Sequence, residues 1–448
     1  MAKKVKFRWP ALNLILYNYV SVIHRLYYRR ITVIGAEKIP SDTPVIFAPN
    51  HQNALMDAFA VMFPIRKHVV FMARADIFKK AFIAKILNSL QILPIYRIRD
   101  GYGELGRNQE IFDRTVDVLK SNMPLCILPE GNHEGLKRLR PLKKGIFRIA
   151  FQTEESNSFN LNLSIVPVGI DYSDYFNAGA DLTVVFGTPI KIADYAAQYR
   201  ENEQKTINTL MNVLAENMRN VMIHIPEEHY ELICQVSEMY EPNVWNTCNV
   251  KRQPYNKLTI RQYIVQKMTE AFSAHPEKAI EISDALNEYN SDLKKASLTD
   301  CQLQQKTPHF FALLLDTVIS IALLPIQVYG MLLNYIPFKI PLMVASKMKD
   351  RQFKSSIQFG VGLFSFPIFH LIILTVFCFL TDSNLVKLIF ALSLPVTGYF
   401  AFYNYQHLKR LKEKFHIFNL MHLKTEQYNT INSKRKHIID LIKTTINS

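Results

Sequence analysis

Short apolar runs alternate with helical patterns along the first half of the chain. The apolar runs predict strands at residues 31–34, 44–48, 69–73, 92–96, 125–128, 164–168 and 182–186. Their β-branched and aromatic side chains favour a pleated surface. Helical patterns lie between several of these runs, at residues 77–90, 108–121 and 144–152. This alternation indicates an α/β sheet with chemical groups at the strand ends.

The second half of the chain is helical and becomes strongly apolar near Pro308. A bilayer crossing takes about 20 apolar residues, and the stretches long enough for one are 310–333, 357–380 and 385–405. The polar turn 381–384 joins the last two into a predicted membrane hairpin. Residues 334–346 are expected to return partway through the bilayer or to lie on it. A water-soluble helical core is the alternative.

Both ends of the chain are basic. Residues 1–30 combine lysines and arginines with an apolar run that is too short and too polar to span, which favours a helix at the membrane interface over one packed on the domain. The tail predicts a basic amphipathic helix suited to an anionic leaflet. The predicted regions are the interfacial helix 1–30, an α/β domain 31–225, a helical region 226–306, membrane helices 307–406 and the tail 407–448.

The net charge of +15 and the pI of about 9.4 over 448 residues predict anionic partners. These could be nucleic acid, phosphorylated small molecules or a lipid surface. Basic clusters flank the predicted hairpin at residues 347–354 and 409–414, which places both of its ends in the cytoplasm by the positive-inside rule. The five cysteines are scattered without zinc-ligand spacing, so neither a disulfide framework nor a metal site is expected.

One strand end carries a histidine and an aspartate. His51 follows the predicted strand 44–48, and Asp57 lies in the helical pattern that begins near Asn53, which is suited to an N-cap. An imidazole can take a proton near neutral pH once a carboxylate fixes its tautomer. This pair could therefore deprotonate an alcohol. The alternative is an ordinary loop histidine near a helix start.

Two further strand ends carry groups suited to an anionic substrate. Arg97 and Arg99 follow one strand, and a guanidinium group matches phosphate geometry. Glu130 and Gly131 follow another, with the basic run 137–144 close behind. Three polar strand ends in one α/β sheet indicate a single site.

These residues resemble the PlsC-like superfamily of phospholipid and glycerol acyltransferases. The family's four motifs are similar to Asn50-His51 with Asp57, to Ile95-Tyr96-Arg97, to Pro129-Glu130-Gly131 and to Val166-Pro167-Val168. Their order and spacing agree over roughly residues 30–190. The resemblance implies a mixed sheet with flanking helices, as in glycerol-phosphate acyltransferases.

The resemblance also implies an activity, a glycerolipid O-acyltransferase on the membrane with its catalytic domain facing the cytoplasm. His51 would be the general base and Asp57 its orienting partner. The residues expected to bind the phosphorylated acceptor are Arg97, Glu130, Gly131, Asn132 and His133. The donor would be acyl-CoA or acyl carrier protein, and the acceptor would be glycerol 3-phosphate or its 1-acyl derivative. Membrane lipids would be further partners. Neither a cofactor, a metal nor a nucleic-acid partner is implied.

Two departures from the family pattern narrow the resemblance. Five residues separate His51 from Asp57 where the family usually has four, so the loop before the helix must absorb one more. Asn132-His133 replaces the usual Thr-Arg. Both features, together with Leu142-Lys143-Lys144-Gly145, resemble the fungal glycerol-3-phosphate/dihydroxyacetone-phosphate branch, which favours glycerol 3-phosphate as the acceptor.

Other interpretations stay open. Another lysophospholipid acyltransferase would carry the same motifs. The glycines of residues 101–106 have dinucleotide-fingerprint spacing, which would suit a nicotinamide-dependent enzyme, although polar residues separate them from the strand. His224 and His229 lie near glutamates and could form a metal cluster, but Pro226 interrupts the helical face between them. A basic surface with a membrane anchor could also serve a non-catalytic tether.

Overall fold

The structure, a computed structural model, describes residues 11–65, 68–79, 81, 84, 92–95, 107–132, 134–248, 254–304 and 309–447. The chain forms two compact units. The first holds the residues up to His224 together with Met348–Ile357, and the second holds Ile225–Lys347 and Gln358–Ser448. The sequence pattern did not indicate that residues 348–357 fold with the first unit.

A mixed sheet of eight strands within the described residues forms the centre of the first unit. The strands are β1 (Arg30–Ile34), β2 (Val45–Pro49), β3 (Val70–Arg74), β4 (Leu93–Ile95), β5 (Leu125–Cys126), β6 (Ser164–Tyr172), β7 (Asp181–Phe186) and β8 (Ile190–Lys191). They lie in the order β1-β7-β6-β2-β5-β3-β4, and β8 pairs with β6. β7 and β8 run antiparallel to β6, while the other pairs are parallel. The predicted α/β class with a mixed sheet is confirmed.

Helices pack on this sheet and bury its centre. The described helices of the first unit are α1 (Ala11–Tyr27), α2 (Ala54–Ile65), α3 (Arg107–Lys120), α4 (Gly145–Glu155), α5 (Ala196–Glu201) and α6 (Glu203–Val221). Every residue of β2 is buried, as expected for a parallel strand covered on both faces. Phe147 of α4 and Leu210 of α6 lie in the same core cluster as Ile46 of β2. β2 is therefore a rigid support for the residues that follow it.

Three predicted elements differ in extent. β6 runs on to Tyr172, four residues past its predicted end, because it pairs with β7 there. The sequence predicts one long helical pattern over residues 192–225, and the structure divides it into a 3-10 turn, α5 and α6. The helix predicted at 77–90 falls mostly outside the described residues, and its first part belongs to the 3-10 turn Ala75–Lys79.

The second unit is helical in its described residues. Its helices are α7 (Tyr230–Cys248), α8 (Pro254–Ala274), α9 (Pro276–Lys295), α10 (Asp300–Leu303), α11 (Phe310–Ala322), α12 (Leu324–Ser346), α13 (Lys354–Cys378), α14 (Asn384–Leu423) and α15 (Thr425–Asn447). α13 begins in the first unit and continues into the second. Within the described part of the chain, three apolar helices are long enough to cross a membrane: Leu324–Ser346, Arg351–Cys378 and Asn384–Leu423. They indicate membrane association.

Two features of this unit differ from the sequence prediction. The predicted span 310–333 is broken between α11 and α12, because Pro325 can start a helix but cannot continue the preceding one. In the tail, Ile431, Ile438 and Ile442 of α15 are buried. The apolar face predicted to meet a lipid leaflet is therefore already covered by protein.

Candidate active site

The loop after β2 is fixed to the neighbouring strand by Asn50. Its side-chain Nδ2 donates to the carbonyl oxygen of Ile170 over 3.1 Å, and its Oδ1 accepts from the Ile170 N–H over 2.7 Å. Asn50 is fully buried, so both bonds are shielded from water. His51 consequently follows the carboxyl end of a central strand, and the residue before it is held in place.

His51 and Asp57 meet directly. The Nδ1 of His51 lies 2.9 Å from the Oδ2 of Asp57. The side chain of Asp57 is 0% exposed and that of His51 is 15% exposed. Since a carboxylate oxygen accepts, Nδ1 carries the proton in this pair. The ring nitrogen left to accept a proton is then Nε2.

Three further donors hold Asp57. Its Oδ2 also accepts from the backbone N–H groups of Gln52, at 2.8 Å, and Asn53, at 2.7 Å. Its Oδ1 accepts from the Tyr172 hydroxyl at 2.8 Å. Burial, and after it the Asp57 charge, raises the pKa of Tyr172, which keeps this hydroxyl protonated as a donor. A carboxylate without solvent contact thus has its hydrogen-bonding capacity met by protein.

The extra residue of the loop is accommodated at the start of α2. Ala54, the first residue of that helix, has a φ of +43°, a conformation that costs an L-residue about 1–2 kcal/mol. Asn53 does not act as the expected side-chain cap. Its Nδ2 donates to the carbonyl oxygen of Tyr175 over 3.0 Å, which ties the loop to the segment after β6.

Glu130 connects two parts of the site. One is the loop after β2 that carries His51, called the histidine loop, and the other is the turn at residues 129–131, called the Pro-Glu-Gly corner. Its Oε1 accepts from the His51 N–H at 2.7 Å and its Oε2 from the Arg140 N–H at 3.0 Å, and the residue is 3% exposed. Burial raises the pKa of Glu130 to about 7, while the two N–H donors and the Arg140 charge lower it and the Asp57 charge raises it. This geometry ties Glu130 to the backbone that carries His51, while its predicted contact with the acceptor stays a prediction.

Of the other residues predicted to bind the acceptor, two are described by the structure and two are not. Gly131, at a φ of +69°, forms the turn of the corner by donating its N–H to the Leu128 carbonyl oxygen over 3.1 Å. Gly131 and Asn132 are both exposed. Arg97 and His133 lie outside the described residues, as does the glycine stretch 101–106.

Arg140 is a cation of the described residues whose backbone is tied to that of His51, since the Glu130 carboxylate accepts from the N–H of both. Its Nη2 lies 3.3 Å from Glu134 Oε1. Its Nη1 is buried and has no hydrogen-bond partner in the part of the chain that the structure describes. The sequence marked the basic run around Arg140, but nothing in it distinguished this arginine. Tyr172 was likewise missed, although it closes the strand of the Val-Pro-Val motif.

Known proteins match the part of the chain that contains this candidate site. Residues 30–171 match the Acyltransferase family, a stretch that includes His51, Asp57 and Glu130. The 1-acyl-sn-glycerol-3-phosphate acyltransferase of Cocos nucifera is 29% identical over 210 residues, 45% of this chain and 60% of that protein. Glycerol-3-phosphate O-acyltransferase 1 of Saccharomyces cerevisiae is 21% identical over 45% of this chain and 26% of its own length.

The crystal structure of PlsC, the 1-acyl-sn-glycerophosphate acyltransferase of Thermotoga maritima, covers 48% of this chain and 83% of that chain at 16% identity. Its TM-score of 0.33 is too low for a structural argument. The chain spans less than two thirds of the coconut and yeast relatives. Together with the motifs, the family match identifies residues 30–171 as an acyltransferase domain that resembles the PlsC-like superfamily.

Proposed function

We propose that this protein is a membrane-bound glycerolipid O-acyltransferase that moves a fatty acyl group from a thioester to a hydroxyl of glycerol 3-phosphate or its 1-acyl derivative. The observation that carries the proposal is the 2.9 Å contact between His51 Nδ1 and Asp57 Oδ2 at the end of β2. The names of the coconut and yeast relatives support the same class of acceptor.

In the proposed reaction, Nε2 of His51 removes the proton of the acceptor hydroxyl. The hydroxyl oxygen attacks the thioester carbonyl carbon, and the resulting tetrahedral intermediate expels the thiolate as the C–S bond breaks. The imidazolium returns its proton to that thiolate, so the products are an ester and a free thiol. Asp57 stabilises the positive charge on His51 between these steps. The donor can be acyl-CoA or acyl carrier protein.

Arg140 is suited to hold the phosphate of the acceptor. Its backbone N–H shares the Glu130 carboxylate with the backbone N–H of His51, and its buried Nη1 has no hydrogen-bond partner among the described residues, which is costly until an acceptor binds it. A guanidinium group also matches the oxygens of a phosphate. We propose that Arg140 acts here together with Arg97, whose role comes from the family resemblance.

The start of α13 supports a membrane arrangement. Its first residues, within Met348–Ile357, belong to the same compact unit as His51, and we propose that this end of α13 lies on the side of the membrane that holds the site. Lys347, Lys349, Arg351 and Lys354 cluster there, and the positive-inside rule favours the cytoplasm. We therefore propose a multi-pass protein with a cytoplasmic active site, with membrane lipids around its apolar helices.

An acyl-transfer assay on the purified full chain tests this proposal. Acyl-CoA and acyl carrier protein donors are paired with glycerol 3-phosphate, its 1-acyl derivative and other lysophospholipids, and mass spectrometry identifies the products. We expect an ester with glycerol 3-phosphate and its loss in His51→Ala. Esters formed only with other lysolipids would change the acceptor. Lipid-vesicle binding without any ester would indicate a non-catalytic tether.

A further inference from the structure

The segment Met348–Ile357 contacts the histidine loop, although it lies about 300 positions later in the sequence. It belongs to the first unit and ends in the first turn of α13. Its adjacent serines, Ser355 and Ser356, are 2% and 7% exposed. Buried hydroxyl groups require partners, and both serines find them in the loop that carries His51.

The two serines bind on either side of a strained residue. Ser356 Oγ accepts from the Leu55 N–H over 3.1 Å. Ser355 Oγ donates to Asn53 Oδ1 over 2.5 Å. Between these contacts lies Ala54 with its φ of +43°, a conformation that persists only where the surroundings impose it. The Leu55 N–H is also one of the helix-start donors that have no acceptor within their own helix.

The contacts continue from this point to the histidine. The Asn53 side chain that accepts from Ser355 also donates to the Tyr175 carbonyl oxygen, so both ends of its amide are fixed. The Asn53 N–H donates to Asp57 Oδ2, the same oxygen that binds His51 Nδ1. A displacement of Asn53 would therefore shift the carboxylate relative to the imidazole.

The segment that carries the two serines has contacts of its own. Asp350 Oδ1 accepts from the Gln352 N–H over 3.1 Å and caps the 3-10 turn Arg351–Phe353. The Arg351 guanidinium lies 5.3 Å from the ring centre of Phe176, within the range of a cation–π contact. Phe176 follows Tyr175 directly in sequence, so the segment contacts the histidine loop and the loop that supports it.

We propose that Ser355 and Ser356 are positioning residues for the reaction of His51, an inference that rests on the proposed acyltransferase function. They fix the strained start of α2 and thereby the angle at which Asp57 meets the imidazole. The site is then complete only when the turn that opens α13 is in place. Two hydroxyl groups supplied from about 300 positions away in the sequence stabilise the extra residue of the loop.

Four variants of the full chain test this proposal. Ser356→Thr keeps the hydroxyl and Ser356→Val replaces it by a methyl of nearly the same shape, so their comparison isolates the hydrogen bond to Leu55. Ser355→Ala removes the bond to Asn53. Ser346→Ala is the control, because Ser346 is exposed and donates only to Met343 of its own helix among the described residues. The measurements are kcat and KM for glycerol 3-phosphate, and hydrogen exchange of the peptide spanning residues 50–60.

We expect Ser356→Val and Ser355→Ala to lower kcat by about tenfold, since each removes a hydrogen bond that shapes the site. KM should change by less than about threefold, and Ser356→Thr and Ser346→Ala should stay close to wild type. Exchange of the 50–60 peptide should be faster in Ser356→Val than in Ser356→Thr. Equal kcat in the Thr and Val variants, or a change confined to KM, would overturn the proposal.

The exchange measurement separates this proposal from the proposed function. If the wild-type chain transfers no acyl group, the acyltransferase proposal fails while exchange still reports on the serines. Unchanged exchange in Ser356→Val would then overturn the contact itself. Faster exchange would support the serines as supports of the loop.

Discussion

Replacing Asp57 by asparagine removes the charge behind His51 and keeps the shape of the side chain. Oδ2 accepts from two backbone N–H groups as well as from the imidazole, so the amide oxygen of the asparagine must occupy that position. Its NH2 group then points at the Tyr172 hydroxyl, which can rotate to accept. The tautomer of His51 survives, and the loss is electrostatic.

The size of this loss follows from the distance between the two groups. A full imidazolium charge 2.9 Å from a carboxylate interacts with it by roughly 6 kcal/mol at an effective dielectric constant of about 20. A base that holds about half a proton in the transition state loses about half of this, roughly 3 kcal/mol. We therefore expect Asp57→Asn to lower kcat by about 100-fold.

The assay is thiol release from the acyl thioester at saturating acceptor, with thermal unfolding to show that each variant folds. Tyr172→Phe is the matched control, because it removes the donor to Oδ1 and leaves the charge in place. Its kcat should fall by less than about tenfold. A folded Asp57→Asn enzyme with a kcat within about threefold of wild type would refute the supporting role of the carboxylate.

Two further predictions concern the corner and the phosphate site. Because burial raises the pKa of Glu130 from 4.5 to about 7, the folded state holds its proton more tightly than the unfolded state. The contribution of Glu130 to stability is therefore full below pH 4.5 and falls by roughly 3 kcal/mol as the pH rises through 7. The unfolding free energy of wild type relative to Glu130→Gln should accordingly decrease from pH 5 to pH 8 in denaturant titrations, and an increase would show that the N–H donors outweigh burial. Arg140→Met keeps the backbone N–H that donates to Glu130 and should raise KM for glycerol 3-phosphate by about tenfold or more. The control is Arg148→Met, because Arg148 is exposed. Equal KM values in the two variants would exclude Arg140 from the phosphate site.

The parts of the fold that the sequence predicted are those that local pattern determines. β2 is recognisable because five consecutive residues are buried in a parallel sheet, which demands an apolar run. The His51–Asp57 pair is equally local, since the two residues are six positions apart. Such features need no knowledge of which distant segments meet.

The missed features depend on distant partners. Nothing around Ser356 signals its bond to Leu55, which lies 301 positions away. The amphipathic pattern of α15 is the same whether a bilayer or another helix covers its apolar face, so burial of Ile438 could not be foreseen. Apolar composition alone also merged α11 with α12, although Pro325 separates them.

In the proposed mechanism His51, held by Asp57, takes the proton of the acceptor hydroxyl. The kcat of His51→Ala in the purified full chain tests this claim. The matched control is His68→Ala, because His68 is a histidine of the same domain outside the site. We predict that His51→Ala loses about 1,000-fold or more in acyl transfer, while His68→Ala stays near wild type and both variants fold. A folded His51→Ala protein that transfers acyl groups at the wild-type rate would contradict the claim.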